Sequence, residues 1–171
     1  MKTNLDIQNF SEQLLALWSI ENMLIDKMPA MIQKVNDFGL KKSLSFHFEE
    51  TRQHKTVVQL ICKQLDIDLR NTNINKPLES ILQEGERSME GKQGADLDVA
   101  IIRTAQEVEQ YEISLYAEAA EMAEAAGYKG IAGRLWLTRE EEKQSDNKLK
   151  FFEGVLLKET AEIGQSIAQY S

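Results

Sequence analysis

At 171 residues the chain is one ordinary domain long, enough to bury a core without disulfide or metal staples. Its 20 Lys plus Arg against 28 Asp plus Glu leave a net charge of −8. That balance argues against a nucleic-acid binder, whose affinity rests on cations set against phosphates, and against a polybasic membrane docker. Nine Gly and two Pro speak against a turn-rich β-sandwich, and a hydrophobic share of 42% is too high for a disordered chain.

Apolar residues recur at helical spacing almost throughout. The first predicted helix covers about 6–35, with Pro29 expected to kink or break it near Met28. Asn36-Asp37-Phe38-Gly39 reads as a short turn in which Gly39 can take a left-handed cap conformation. A second helix follows over about 40–65. The stretch from Asp66 to Gly94 carries Asn, Pro and Gly, and holds a short amphipathic helix over about 78–90 with Pro77 near its first turn. Long helices over about 96–126 and 129–160 close the chain, joined at Gly127-Tyr128, with a tail to Ser171. Two helix pairs with tight loops and one long connection predict an all-α, single-domain, ferritin-like four-helix bundle spanning 1–171, its crossover carrying the extra helix. The lone Cys62 cannot form an internal disulfide and reads as a small buried apolar residue. Met1-Lys2-Thr3-Asn4-Leu5-Asp6 lacks the apolar core of a signal peptide, and no run approaches roughly 18 apolar residues. The expectation is a soluble cytoplasmic protein with no membrane partner.

In an acidic helical protein most Glu residues cover the wet face, so the informative ones fall on an apolar stripe. In the first helix, three-four spacing selects Ile7, Phe10, Leu14, Leu17, Glu21, Leu24, Met28, Met31 and Val35, apolar at all but Glu21. A charge in that position is costly unless something compensates it. The second helix gives Leu40, Leu44, His47, Thr51, His54, Val58 and Ile61, with Glu50 one turn before His54 and able to share a target with it. His47 stands two turns before His54, about 10 Å along the axis, and reads as a hydrogen-bonded or partly exposed histidine. The third long helix places Glu109 and Glu112 on its seam, with Tyr116 one turn further on. In the last, only Glu142 of Glu140-Glu141-Glu142 is in register, and Asp146 follows it by four.

All four long helices therefore carry a carboxylate in the apolar face near mid-length, where an antiparallel bundle brings them to one level. Glu21, Glu50, Glu109, Glu112, Glu142 and Asp146, with His54, would repel or protonate in a low dielectric unless cations relieved them. Oxygen-rich ligation with one imidazole suits two iron or manganese ions better than structural zinc. A buried hydrogen-bonded carboxylate cluster without metal is the alternative.

The segments Ser19-Ile20-Glu21, His47-Phe48-Glu49-Glu50-Thr51, Val108-Glu109-Gln110-Tyr111-Glu112 and Glu141-Glu142-Lys143-Gln144-Ser145-Asp146 resemble the YciE/YciF stress-protein family of bacterial ferritin-like proteins. The resemblance covers roughly Leu5 to Glu159 and implies a homodimer and a role in stress protection. More distantly the chain is similar to rubrerythrin, which has one glutamate on its first helix, a pair three apart on its third, and Glu-x-x-His on the second and fourth. Glu21 and Glu109/Glu112 match that scheme. Glu50-x-x-x-His54 is one residue longer, and Glu142-x-x-x-Asp146 has carboxylate in place of histidine. The resulting expectation is a di-iron (or manganese) carboxylate protein that reacts with dioxygen or peroxide. Glu50 and Glu142 would bridge, Glu21 and Glu112 would be terminal, His54 and Asp146 would complete the set, and Glu109 would be an extra ligand. Tyr116 would support a ligand carboxylate by hydrogen bonding. A non-catalytic dimeric stress or interaction protein is the competing expectation.

Overall fold

A computed structural model describes residues 4–169. Met1–Thr3 and the final Tyr170 and Ser171, which the N-terminal and tail readings touch, lie outside the described residues. Five α-helices form: α1 (Asn4–Lys34), α2 (Phe38–Gln64), α3 (Lys76–Met89), α4 (Gly94–Ala125) and α5 (Lys129–Gln169), with one 3₁₀ turn at Leu69–Asn71. The four long helices close a ring in which α1 packs on α2 and α4, and α5 packs on α2 and α4, while α3 lies against α4. Among the described residues no helix is long and apolar enough to cross a membrane.

The helix starts follow from side-chain caps. Asp37 accepts a hydrogen bond from the Leu40 N–H at 2.7 Å and opens α2, and Asn75 does the same for α3 through Leu78 at 2.9 Å. The tight α1–α2 corner is held from α4: the buried Asp98 accepts the N–H groups of Asn36 and Asp37 at 2.8 and 2.7 Å. Two expectations are corrected here. Gly39 lies inside α2 rather than in a left-handed turn, and its smallness serves a close approach, since a Cβ there would sit 3.1 Å from the Phe152 ring. Pro29 does not break α1. It sits on the exposed side while Met28 and Val35 are buried around it, so tertiary packing outweighs the lost backbone hydrogen bond.

The apolar interior is divided. One cluster gathers Phe10, Leu14, Leu17, Val58, Ile61, Ala119, Ala123 and Leu135. A second gathers Val35, Leu40, Leu44, Ile101, Ile102, Leu149 and Leu156. Between them on every long helix fall buried polar residues: Glu21 on α1, His47, Thr51 and His54 on α2, Glu109 and Glu112 on α4, Thr138, Glu142 and Ser145 on α5.

Candidate metal centre

Helical spacing turns this polar layer inward. Glu21 is flanked one turn either side by Leu17 and Leu24, which are buried in the apolar clusters, so its carboxylate has no route to solvent. Burial pushes its pKa up to about 8, opposed by the neighbouring His54. Tyr116, equally buried, donates its hydroxyl to Glu21 Oε1. Glu109 and Glu112, three apart on α4, are each 1% exposed. Burial raises Glu109 to about 7 against the pull of His47. It lifts Glu112 well above the carboxylate range, reinforced by the charges of Glu142, Glu21 and Glu109.

Two imidazoles on α2 approach Glu142 from its two oxygens. His54 Nδ1 lies 2.7 Å from Oε1 and His47 Nε2 lies 3.9 Å from Oε2. Burial also disfavours ionised Glu142, but the two histidines overcome it and carry its pKa below the usual value. Burial opposes the charge of His54 too, and the contact with Glu142 wins, lifting it to about 9. His47 Nε2 is 2.9 Å from Glu109 Oε1, whose oxygen also accepts from Ser145 at 3.1 Å.

Each imidazole has a carboxylate behind it. Glu141 Oε2 lies 2.8 Å from His54 Nε2, and Glu50 Oε2 lies 3.6 Å from His47 Nδ1. Once His54 gives up the proton it holds toward Glu142, the proton that Nε2 shares with Glu141 leaves the Nδ1 lone pair facing the layer.

The ligand atoms fall into two groups. His47, Glu109, Glu112 and Glu142 offer one atom each, all within 4.8 Å of one another, and so do Glu21, His54 and Glu142. Glu142 belongs to both. The donor set fits hard or borderline divalent cations in number and type. Both oxygens of Glu112 and Oε2 of Glu21 are buried without a hydrogen-bond partner, a costly state that a cation would relieve.

The structure thus brings together Glu21, His54, Glu109, Glu112 and Glu142. Glu50 and Asp146 stand outside both groups. Glu50 is partly exposed behind His47, and Asp146 Oδ2 accepts from Gln110 and Lys150 while its Oδ1 is buried without a partner. His47, expected as a hydrogen-bonded or partly exposed histidine, is buried against Glu109 and brings a second imidazole to the cluster. It stands on the same seam as His54, so the test that flagged Glu21 would have flagged it. Glu141 gives no such signal, since its side chain is 39% exposed and reaches His54 from the edge of α5.

Residues 6–162 match the family described as Domain of unknown function (DUF892). Over 151 residues the chain is 30% identical to Protein YciF of Escherichia coli (strain K12), covering 87% of this chain and 89% of that protein. Its fold is similar to the crystal structure of the E. coli stress protein YciF, with a TM-score of 0.80 and 27% identity over 92% of this chain and 99% of that one. It is similar also to YcfI from Rhodopseudomonas palustris, with a TM-score of 0.79 and 26% identity over 87% and 94% of the two chains. The chain belongs to the DUF892 family.

Proposed function

We propose that this DUF892-family protein holds two divalent ions, iron or manganese, in its buried layer and reacts through them with dioxygen or peroxide. The observation that carries the reading is that Glu142 is common to two ligand groups, as a bridging carboxylate must be. His47, Glu109 and Glu112 would hold one ion, Glu21 and His54 the other. Asp146, whose Oδ1 is free of hydrogen bonds, would complete a coordination shell. Glu21, Glu109, Glu112 and Glu142 together carry the four negative charges that two divalent ions balance, while Asp146 is offset by Lys150. When bound, such ions supply electrons and Lewis acidity toward an oxygen ligand.

The chain's own residues prepare the centre. Glu141 orients His54 through its contact with Nε2, Tyr116 fixes Glu21, and Ser145 fixes one oxygen of Glu109, while Glu50 sets a carboxylate beside His47 Nδ1 without bonding it. Such supporting bonds typically change metal affinity ten- to a hundred-fold. The apolar clusters above and below exclude bulk water. In this reading the ring of long helices is the ferritin-like, one-crossover bundle. Phe46 and Phe151, exposed near one another on α2 and α5, are the surface offered to a second copy in a homodimer. A role in stress protection is proposed from the likeness to the E. coli stress protein YciF.

The competing reading, a metal-free structural cluster, draws on the His54–Glu142 and His47–Glu109 pairs, which partly neutralise one another. Titration of chelator-treated protein with Co(II), Mn(II) and anaerobic Fe(II) decides between them. Two equivalents per chain are expected, both weakened in Glu142→Ala, with oxygen uptake after air is admitted to the Fe(II) form. Failure to bind, or one equivalent indifferent to Glu142→Ala, overturns the di-metal reading.

A further inference from the structure

A cavity of about 200 Å³ opens beneath α3, between α1 and α4, and reaches His47 and Glu109 at its inner end. Met28, Met31, Leu82, Met89 and Val108 form much of its wall. The Thr104 hydroxyl on the wall is engaged, donating to the Ala100 carbonyl at 3.0 Å. At the inner end His47 Nε2 meets Glu109 Oε1 at 2.9 Å, while His47 Nδ1 and Glu109 Oε2 have no hydrogen-bond partner. Between the charged mouth and that inner end, an occupant therefore meets a mainly apolar wall.

Size excludes the smallest candidates. An apolar cavity of about 150 Å³ stays dry and accommodates a benzene ring, so dioxygen or peroxide alone would leave most of this one unfilled. Charge excludes another class. The outer lining carries Asp26 and Glu86 against Lys27 and Lys34, with Lys27 beside Asp26 at 3.8 Å, so the mouth selects neither an anion nor a cation. Three of the chain's six methionines lie on the wall, and their unbranched side chains adapt to irregular apolar shapes.

We propose that this cavity binds a neutral, mainly hydrocarbon molecule, about the size of a substituted benzene or a six- to eight-carbon chain, with one end against His47 and Glu109. It is an organic co-substrate site of the centre, and that role rests on the di-metal reading above.

Toluene is the probe, and methionine methyl groups labelled with ¹³C are the reporters. In the chelator-treated protein, toluene is expected to shift the Met28, Met31 and Met89 signals saturably and to leave Met122, in the opposite apolar cluster, unmoved. Met31→Trp, at the half-buried side of the wall, and Val108→Phe, deeper in, should each weaken toluene at least ten-fold while Co(II) binding stays at the wild-type stoichiometry. Shifts that do not saturate, that spread evenly over the methionines, or that survive both fillings overturn the site. In the Co(II)-loaded protein toluene should alter the visible spectrum, and an unchanged spectrum overturns the placement beside the centre. The two readings fail separately: a protein that takes up toluene but fails to bind added Co(II) overturns the metal assignment and the co-substrate role, whereas one that binds Co(II) but not toluene overturns the cavity alone.

Discussion

Glu112 has three acidic neighbours acting on it, Glu142, Glu21 and Glu109, and every one of them adds to the cost that burial already imposes on its charge. Without a cation the layer answers by holding protons. Glu21 keeps its proton to about pH 8 in the folded chain, against 4.5 as its ordinary value, and His54 keeps its own to about 9 rather than 6.5. Folded Glu21 holds an extra proton from about pH 4.5 to 8 and folded His54 from about pH 6.5 to 9, so at least one extra proton is held across the span from about 4.5 to 9. Stability of the chelator-treated protein should therefore fall as pH rises through that window, by on the order of 1 kcal/mol per pH unit for each extra proton held. The His54 share is fully present below 6.5 and lost through 9. Metal ions compete with those protons, so Mn(II) should flatten or reverse the slope. Urea melts at pH 6 and pH 9, with and without Mn(II), measure this, and a metal-free protein that gains stability toward pH 9 contradicts it. The same residues show what a sequence can reveal of a site. Glu21, Glu109, Glu112, Glu142 and His54 were legible because each interrupts an apolar stripe. His47 interrupts one equally and was passed over for its distance along the axis from His54. That distance separates backbones, whereas two side chains on one face can converge on a third between them. Glu141 was illegible, because a half-exposed residue beside the stripe has the periodicity of a wet face.

The helices were legible from apolar spacing and the breaks between them from Asn, Pro and Gly, so the corner after Val35 and the Gly127 turn fall where local chemistry puts them, while the capping roles of Asp37 and Asn75 emerge only from the structure. Local signals failed where packing decides. Pro29 stays within α1, and α5 runs on to Gln169 beyond the predicted end near 160, with residues 157–168 exposed. The seating of α3 on α4 is a further case that composition could not show. Gly85 faces Thr104, and a Cβ at Gly85 would fall 2.2 Å from Thr104 Cγ2 and 2.7 Å from its Oγ1. Thr104 is buried, and its hydroxyl is tied to the Ala100 carbonyl, so it cannot simply rotate away. Helix propensity alone makes Gly→Ala stabilising by about 1 kcal/mol. The contact makes Gly85→Ala destabilising by about 1–3 kcal/mol, as overpacking does. The sign separates the two effects. Urea denaturation of Gly85→Ala should show a lowered midpoint, with part of the loss recovered in Gly85→Ala/Thr104→Ala. A midpoint at or above that of the parent would mean that α3 does not sit as closely as described.

The molecule as a whole has an apolar cluster at each end, joined through a polar layer that is flanked on the α3 side by a third, smaller cluster of Ile20, Leu24, Met28, Leu78 and Val108. The cluster around Leu14, Ile61 and Leu135 and the one around Leu44, Ile102 and Leu149 can each hold the four long helices together at one end. Mid-length, the same helices meet at carboxylates of which several oxygens, both of Glu112's among them, have no hydrogen-bond partner. Native proteins open locally where stabilising contacts are fewest, so the chelator-treated protein should open first at its waist rather than at its ends. Amide hydrogen exchange is expected to show a dip in protection around Glu21, His47 to His54, Glu109 to Glu112 and Glu142, flanked by better protection near Leu14 and Ala119 on one side and near Leu44 and Ile102 on the other. Two ions sharing Glu142 would bind α1, α2, α4 and α5 to one another at that level. With free metal about 100-fold above its dissociation constant, one site adds about 2.7 kcal/mol, roughly a hundred-fold slowing of any exchange that requires opening the site. Mn(II) should therefore erase the dip, with the largest slowing at the waist in all four helices at once. A dip that persists with metal bound would place the ions elsewhere, and uniform protection before metal is added would mean that the acidic layer is a stable structural element in its own right.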